Sequence, residues 1–215
     1  MKRFTIFGAC IAALLTASVY YSQAPTANAL TKDTVVIMAN IQEGDTGIKR
    51  IGRMSFAPAG VLLVADIGSA SVVAIDTRDI GPVKKLKQRV NDVDKKIAAA
   101  LGTDKDGIQI VDMAVNPASG KIYVSTQRKA DGLSAIITFD ENGKLTPLNL
   151  KKANFVRVSL PVADEKKISN ITGVEFSNGR VLAAGQSNEE FSSKIYSLPL
   201  PLTHGKSGEV YSTET

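Results

Sequence analysis

The chain has 215 residues, a formal net charge of +5 and a single cysteine, Cys10. This length is ample for one domain with its own hydrophobic core. The charge is mild, no basic block alternates with aromatic residues, and one cysteine cannot form a disulfide within the chain. Composition therefore excludes an evident nucleic-acid interface and a disulfide framework.

The first 29 residues have the pattern of a secretory signal peptide. Two basic residues precede an uncharged apolar run, Phe4 to Val19, and Ala27 to Ala29 ("ANA") has the spacing that signal peptidase recognises. The run has about 16 residues, whereas a membrane-spanning helix needs roughly 20. We predict cleavage before Leu30 and a periplasmic or secreted product that leaves the membrane. An uncleaved anchor is the alternative.

Three later segments about 60 residues apart share one pattern. They begin at Met54 ("MSFAPAGVLLVAD"), Met113 ("MAVNPASGKIYVST") and Val174 ("VEFSNGRVLAAG"). In each, an alternating strand leads through a turn rich in Gly, Asn or Pro to a second, apolar strand. Third strands follow in "SVVAIDT", "SAIITFD" and "SKIYSLPL". The pattern predicts three similar antiparallel units joined by tight hairpins.

Other elements surround these units. A spare strand is predicted at 34–39, and fourth strands are predicted near 82–86, 145–150 and 208–212. Apolar residues at helical spacing predict a short helix at about 90–102, which we expect to cover an edge of a unit. The segment "TDKDG" at 103–107 resembles the start of a calcium-binding loop, but the glutamate that such a loop needs further along the chain is absent. We therefore predict a turn.

The apolar second strands are typical of sheets that are packed on both faces. This favours propeller blades over a β-sandwich of short hairpins. We therefore predict an all-β, β-propeller-like fold over residues 30–215, with about three four-stranded blades and one short inserted helix. Closed rings typically have 4–8 blades, so three blades predict an incomplete ring. A fragment of a longer chain is favoured, and assembly of several copies or an open sandwich are the alternatives.

The units also resemble known proteins. The strand, Asn-Pro-x-x-Gly turn and apolar strand resemble NHL-like propellers, loosely and over most of Gly52 to Leu202. More specifically, "FAPAGVLLVADIGSASVVAIDT", "DMAVNPASGKIYVS" and "GQSNEEFSSKIYSLPLPL" resemble a family of secreted bacterial proteins of unassigned function. The resemblance implies a truncated propeller, which corresponds to an N-terminal fragment, and it supplies no catalytic residues.

In such a fold, the loops that enter the first strands and join the second to the third share the usual binding face. The candidate residues have this placement, and they are Arg53, Asp66, Asp112, Gln186, Asn188, Glu189 and Glu190. Glu189 and Glu190 are also metal candidates, because carboxylate oxygens suit Ca²⁺, and solvated or paired loop charges are the alternative. Asp112 is expected either opposite Arg53 or bonded to backbone amides at a turn.

The sequence lacks the common signatures of catalysis. It has no Gly-x-Ser-x-Gly elbow, zinc-ligand set, haem attachment motif or phosphate loop, and its one histidine, His204, is predicted to be a solvated linker residue. We therefore expect an exported binding or scaffold module without a cofactor, whose partner is a small molecule or a protein.

The alternative function is a calcium-dependent, lactonase-like hydrolase, in which Glu189 or Glu190, Asp112 and Asn188 converge on one ion. A quinone-dependent dehydrogenase ranks last, because such enzymes use tryptophan docking and the chain has no tryptophan.

Overall fold

The computed structural model describes residues 35–161, 168–187 and 193–211. The predicted signal peptide lies outside these ranges, as do three of the candidate residues, Asn188, Glu189 and Glu190. Among the residues described, no helix has the length and apolar character needed to span a bilayer.

Strands dominate the described chain, and one short helix interrupts them. In chain order the elements are β1 (Met38–Ala39), β2 (Gln42–Gly44), β3 (Ile51–Ala57), β4 (Val61–Asp66), β5 (Ser71–Asp76), α1 (Val93–Ala100), β6 (Ile108–Val115), β7 (Ile122–Arg128), β8 (Ser134–Phe139), β9 (Leu145–Pro147), β10 (Ala153–Ser159), β11 (Ile168–Ser177), β12 (Arg180–Ser187), β13 (Ser193–Pro199), β14 (Leu202–Thr203) and β15 (Glu209–Tyr211). The prediction of an all-β chain with one short helix is confirmed.

The first sheet is assembled from distant parts of the chain, in the order β2-β10-β5-β4-β3. Strands β3, β4 and β5 form an antiparallel meander, as the first unit predicts. The fourth strand predicted near 82–86 is wrong, because these residues form no strand. Its place is taken by β10, which pairs with β5 from Ser159 opposite Ser71 to Asn154 opposite Asp76.

The second and third sheets are simpler. Their strand orders are β6-β7-β8-β9 and β11-β12-β13-β15, and both are antiparallel throughout. Strands β9 and β15 lie where fourth strands are predicted. The spare strand is shorter than predicted: β1 covers only Met38–Ala39 and pairs in parallel with β14.

The first sheet lies between the second and the third. One of its faces packs against the third sheet, through residues such as Leu63 and Val181. Its other face packs against the second sheet, where Leu62 and Tyr123 belong to one cluster. Strands β4 and β5 are therefore buried on both faces, which explains why they are almost wholly apolar.

The helix α1 covers the far face of the second sheet. Ile97 and Ala98 are fully buried and pack with Val124, Ile137 and Phe139. The sequence predicts that the helix covers an edge, and the structure instead places it on a sheet face. Met113, which faces the same way as Val124, remains 60% exposed beyond the helix.

A strap, residues 77–92, joins β5 to α1 and is fastened to the second sheet by Asp79. Its carboxylate accepts hydrogen bonds from the Ser119 hydroxyl (2.6 Å), the Asn116 amide (2.9 Å) and the Tyr123 hydroxyl (3.0 Å). Lys121 forms an ion pair with its other oxygen at 3.2 Å. Because these contacts hold the strap against the second sheet, it cannot serve as the fourth strand of the first.

The Asp79 carboxylate is more acidic than an ordinary aspartate. Burial raises its pKa, but the hydrogen bonds from Ser119, Asn116 and Lys121, with the charge of Lys121, outweigh burial and lower the pKa below its ordinary value of 3.8. The carboxylate therefore stabilises the fold while it is charged.

We expect Asp79→Ala to lower the free energy of unfolding by about 2–3 kcal/mol, because it leaves several buried or half-buried donors without an acceptor. Chemical denaturation at neutral pH measures this difference. The control is Asp106→Ala, which removes an exposed aspartate from a surface turn. Equal losses in the two variants would contradict the role given to Asp79.

The same residue predicts a pH dependence. A lowered pKa in the folded state stabilises the fold above the unfolded pKa, and this contribution is lost as the pH falls through the folded value. The difference in stability between the wild type and Asp79→Ala should therefore be complete at neutral pH and shrink below about pH 4. Denaturation curves of both proteins across this range test the prediction.

Candidate functional site

The first strands of the three sheets come together at one place. Strand β3 lies between β6 and β11 and contacts both. Each strand has an irregularity in register shortly before the aligned start of its unit, between Ile51 and Met54, between Ile110 and Asp112, and between Ile171 and Gly173. Strand β11 has a further one between Ile168 and Asn170. Bulges of this kind twist a strand and redirect its side chains. The three irregularities occupy matched positions and mark one end of the molecule.

A cavity of about 460 Å³ opens at this end. It lies within the range of roughly 300–1,000 Å³ that is usual for small-molecule sites. Ile51 and Ile171, both buried, contribute apolar wall. The polar side chains come from all three sheets and the segment before β3, and they are Arg50, Arg53, Gln109, Gln127, Ser169 and Asn170. The described lining thus holds two arginines and no carboxylate.

Arg53 and Asp112 lie together at the edge of this cavity, as one reading of the sequence expects. Nη1 of Arg53 is 3.3 Å from Oδ1 of Asp112, and the arginine side chain is 52% exposed. The other expectation for Asp112 also holds in part, because its Oδ2 accepts a hydrogen bond from the backbone amide of Met54 (2.8 Å). That amide belongs to β3 rather than to a turn, so Asp112 joins the first two sheets.

Asp66 lies behind the cavity, not in it. Its side chain is fully buried, and Arg157 on β10 approaches its Oδ2 at 2.7 Å. Its Oδ1 accepts hydrogen bonds from the backbone amides of Lys49 (3.2 Å) and Arg50 (3.0 Å). A buried charge requires such partners. Asp66 therefore holds the segment before β3 rather than offering a free carboxylate to a ligand.

The segment held by Asp66 carries Arg50 to the rim of the cavity. Nη2 of Arg50 donates to the backbone oxygen of Ser169 at 2.9 Å, which joins the first sheet to the third. Arg157 fixes the same segment from behind, because its Nη2 donates to the backbone oxygen of Thr46 at 2.6 Å. The guanidinium of Arg50 is thereby placed by two neighbouring sheets.

Gln186 lies beside the cavity without lining it. It is exposed and pairs with Asn170 across β11 and β12, and its backbone oxygen accepts a hydrogen bond from the Ser169 hydroxyl at 3.1 Å. The neighbouring candidates Asn188, Glu189 and Glu190 are not among the described residues. The structure therefore brings Arg53, Asp112 and Gln186 to one end and leaves the proposed convergence of carboxylates untested.

Two further expectations have clear outcomes. The "TDKDG" segment is a turn, in which Asp104 accepts a hydrogen bond from the amide of Gly107 at 2.8 Å. His204 is exposed but is not a free linker, because its Nδ1 accepts from the Arg157 amide at 3.3 Å and its ring meets Phe155 edge-on. Within the described ranges, no group of three or more His, Cys, Asp or Glu could hold a metal ion.

Sequence reasoning missed several lining residues that a signal in the sequence could have identified. Arg50, Gln109 and Asn170 each stand four positions before the aligned starts of the three units. The shared pattern begins four residues later, so these positions lie outside the three aligned segments. Gln127 pairs with Gln109 across β6 and β7, so it comes with them to the cavity.

Comparison of the chain with protein-family models, with curated proteins and with solved structures gives no match. The site must therefore be interpreted from its own geometry.

We expect loss of the Asp66 charge to loosen the segment that carries Arg50. Asp66→Ala should lower the free energy of unfolding by about 3–5 kcal/mol, because it leaves the Arg157 charge without its partner in a mostly buried site. Asp66→Asn should cost less, since it retains an acceptor, and it should speed hydrogen exchange at the amides of Lys49 and Arg50. Residue-resolved exchange by NMR measures the effect.

The matched control is Asp131→Asn, which breaks an aspartate–arginine pair at the surface. Asp131 and Arg128 are 2.7 Å apart, with 50% of the aspartate side chain exposed, and exposed pairs contribute about 0–1 kcal/mol. If Asp131→Asn and Asp66→Asn change the free energy of unfolding and the amide exchange rates equally, Asp66 does not hold the segment before β3.

Proposed function

We propose that this protein is an exported binding module on a β-propeller-like scaffold, with a small polar ligand in the cavity at the start of β3, β6 and β11. The observation that carries the proposal is the cavity itself. Three separate sheets contribute hydrogen-bonding side chains to one concave space of suitable size. Ligand sites commonly have this mixture of apolar wall and convergent polar groups.

The scaffold is supported by the arrangement of the three meanders. The first strand of the first sheet contacts the first strands of the other two, and each sheet packs face to face with a neighbour, which supports a blade-like arrangement. Apolar side chains remain exposed at both ends of the stack, Met113 and Val115 on the second sheet and Leu182 and Ile195 on the third. These faces fit the incomplete ring and the resemblance to secreted NHL-like proteins.

The stack departs from a simple ring in one respect. The third sheet packs against the first, and the first receives its fourth strand, β10, only after the second sheet is complete. We therefore propose an open, blade-like scaffold in which the first sheet is central.

The side chains around the cavity favour recognition over catalysis. Guanidinium and amide groups bind ligands by hydrogen bonds, and the adjacent carboxylate of Asp112 is held by the Met54 amide and by Arg53. The calcium-dependent hydrolase needs Asp112 as an ion ligand together with residues outside the described chain. No observation on the described residues favours that alternative, so we retain the binding module.

The proposal is tested by filling the cavity. Ile110 lines it and is 45% exposed, so Ile110→Trp should occupy part of the space without opening the core. The purified mature protein is screened by thermal shift against a library of small polar metabolites. Because a ligand that binds only the native state raises its stability, we expect stabilising compounds for the wild type and loss of their effect in Ile110→Trp.

The control variant is Ile80→Trp, which places the same side chain on the strap, where Ile80 is 67% exposed. Its shifts should equal those of the wild type. Compounds that still stabilise Ile110→Trp, or the lack of any stabilising compound, would overturn the proposed site. Calcium-dependent hydrolysis of a simple lactone would overturn the assignment as a non-catalytic module.

A further inference from the structure

The charge of the cavity indicates what kind of ligand it takes. Two guanidinium groups, Arg50 and Arg53, belong to its lining, and the described lining contains no carboxylate. The buried acid behind it, Asp66, already faces Arg157 and two backbone amides. Asp112, at the edge of the cavity, is the described aspartate whose negative charge offsets part of the positive charge of the two arginines. The cavity therefore has an excess of positive charge.

The two guanidinium groups retain most of their hydrogen-bonding capacity. An arginine side chain has five N–H donors in a planar fork that matches a carboxylate. Arg50 uses Nη2 for the Ser169 oxygen, and Arg53 uses Nη1 for a long contact of 3.3 Å to Asp112. Because the Arg53 side chain is half-exposed, its pair with Asp112 is of the weak, solvent-screened kind. A ligand carboxylate can replace it.

The remaining polar groups are uncharged, and besides the Ser169 hydroxyl they are carboxamides. Gln109 and Gln127 face each other in register on β6 and β7, and Asn170 stands at the matched position on β11. A carboxamide both donates and accepts, so it pairs with a hydroxyl whichever way the hydroxyl points. Ile110 and Val111 line the same cavity, and their apolar atoms suit the C–H faces of a carbon chain or sugar ring.

From this arrangement we infer that the ligand is a small hydroxylated organic acid, with its carboxylate at Arg53 and Arg50 and its hydroxyls at Gln109, Gln127 and Asn170. The inference rests on the proposed function and specifies its ligand. Asp112 then has a defined part, because it competes with the ligand carboxylate for Arg53. Two substitutions at one ion pair should consequently change ligand affinity in opposite directions.

The test uses D-glucuronate as the probe and D-glucose, D-glucosamine and inorganic phosphate as comparisons. Affinities are measured by NMR titration of backbone amides, with Gly52, Gln109 and Asn170 as reporters. We expect glucuronate to shift these amides and glucose and glucosamine to bind about tenfold more weakly or worse, because each lacks the carboxylate. Added salt should weaken glucuronate binding.

The variants separate an anion site from a structural contact. Arg53→Gln should weaken glucuronate binding about tenfold or more. Asp112→Asn should instead strengthen it about two- to fivefold, since the introduced carboxamide can still accept from the Met54 amide but carries no charge to attract Arg53. The control is Arg78→Gln, which removes the same charge from a side chain that is 75% exposed on the strap and should leave the affinity unchanged.

The other outcomes contradict the inference in different ways. If glucose or glucosamine binds as tightly as glucuronate and Ile110→Trp abolishes that binding, the ligand does not require a carboxylate. The proposed binding site then stands. Equal affinity for phosphate and glucuronate would show that the hydroxyl groups of the ligand do not contribute to binding. Glucuronate binding that survives in Ile110→Trp would overturn the inference and the proposed site together. If no shift occurs up to about 10 mM glucuronate, the ligand class is wrong.

Discussion

The fully buried carboxylate of Asp66 is the constraint on which the rest of the structure depends. A charge at this depth is tolerated only with close partners, and those partners lie on distant parts of the chain: the amides of Lys49 and Arg50, and the guanidinium of Arg157. Arg157 also donates to the Ser71 hydroxyl on β5. The segment before β3, the inner hairpin of the first sheet and the returning strand β10 are therefore held at one point.

The cavity follows from this arrangement because the first sheet is the element against which the others are placed. Its edge strand β3 contacts both β6 and β11. Asp112 fastens β6 through the Met54 amide, and Arg50 reaches the Ser169 oxygen at the start of β11. The same side chains that join neighbouring sheets thus stand at the rim of the cavity.

The sequence predicts those elements that are determined by residues close together in the chain. Alternation and turn residues identify the three meanders, and helical spacing identifies α1, because hairpins and helices depend on neighbours in the chain. The sequence does not identify β10 as the fourth strand of the first sheet. That strand carries Arg157, the partner of Asp66, and it is distant from Asp66 along the chain. In the candidate site, one of the two expectations for Asp112 places it opposite Arg53, and the structure shows that pair together with a hydrogen bond from the Met54 amide. The burial of Asp66 is not visible in the sequence, because its depth is set by Arg157 and by the segment at 46–50.

The path of β10 has a consequence for how this architecture can change. The chain leaves the first sheet after Asp76 and re-enters it at Ala153, next to Asn154, which is the direct partner of Asp76 across β5 and β10. Everything between them, the strap, α1 and the whole second sheet, starts and finishes at adjacent points of an otherwise continuous hairpin. The second sheet is therefore an insertion between two paired strands of the first sheet. Its removal would bring the first and third sheets into direct succession along the chain, and a single deletion would thereby take Gln109 and Gln127 from the cavity while leaving every hydrogen-bond partner of Asp66 in the chain.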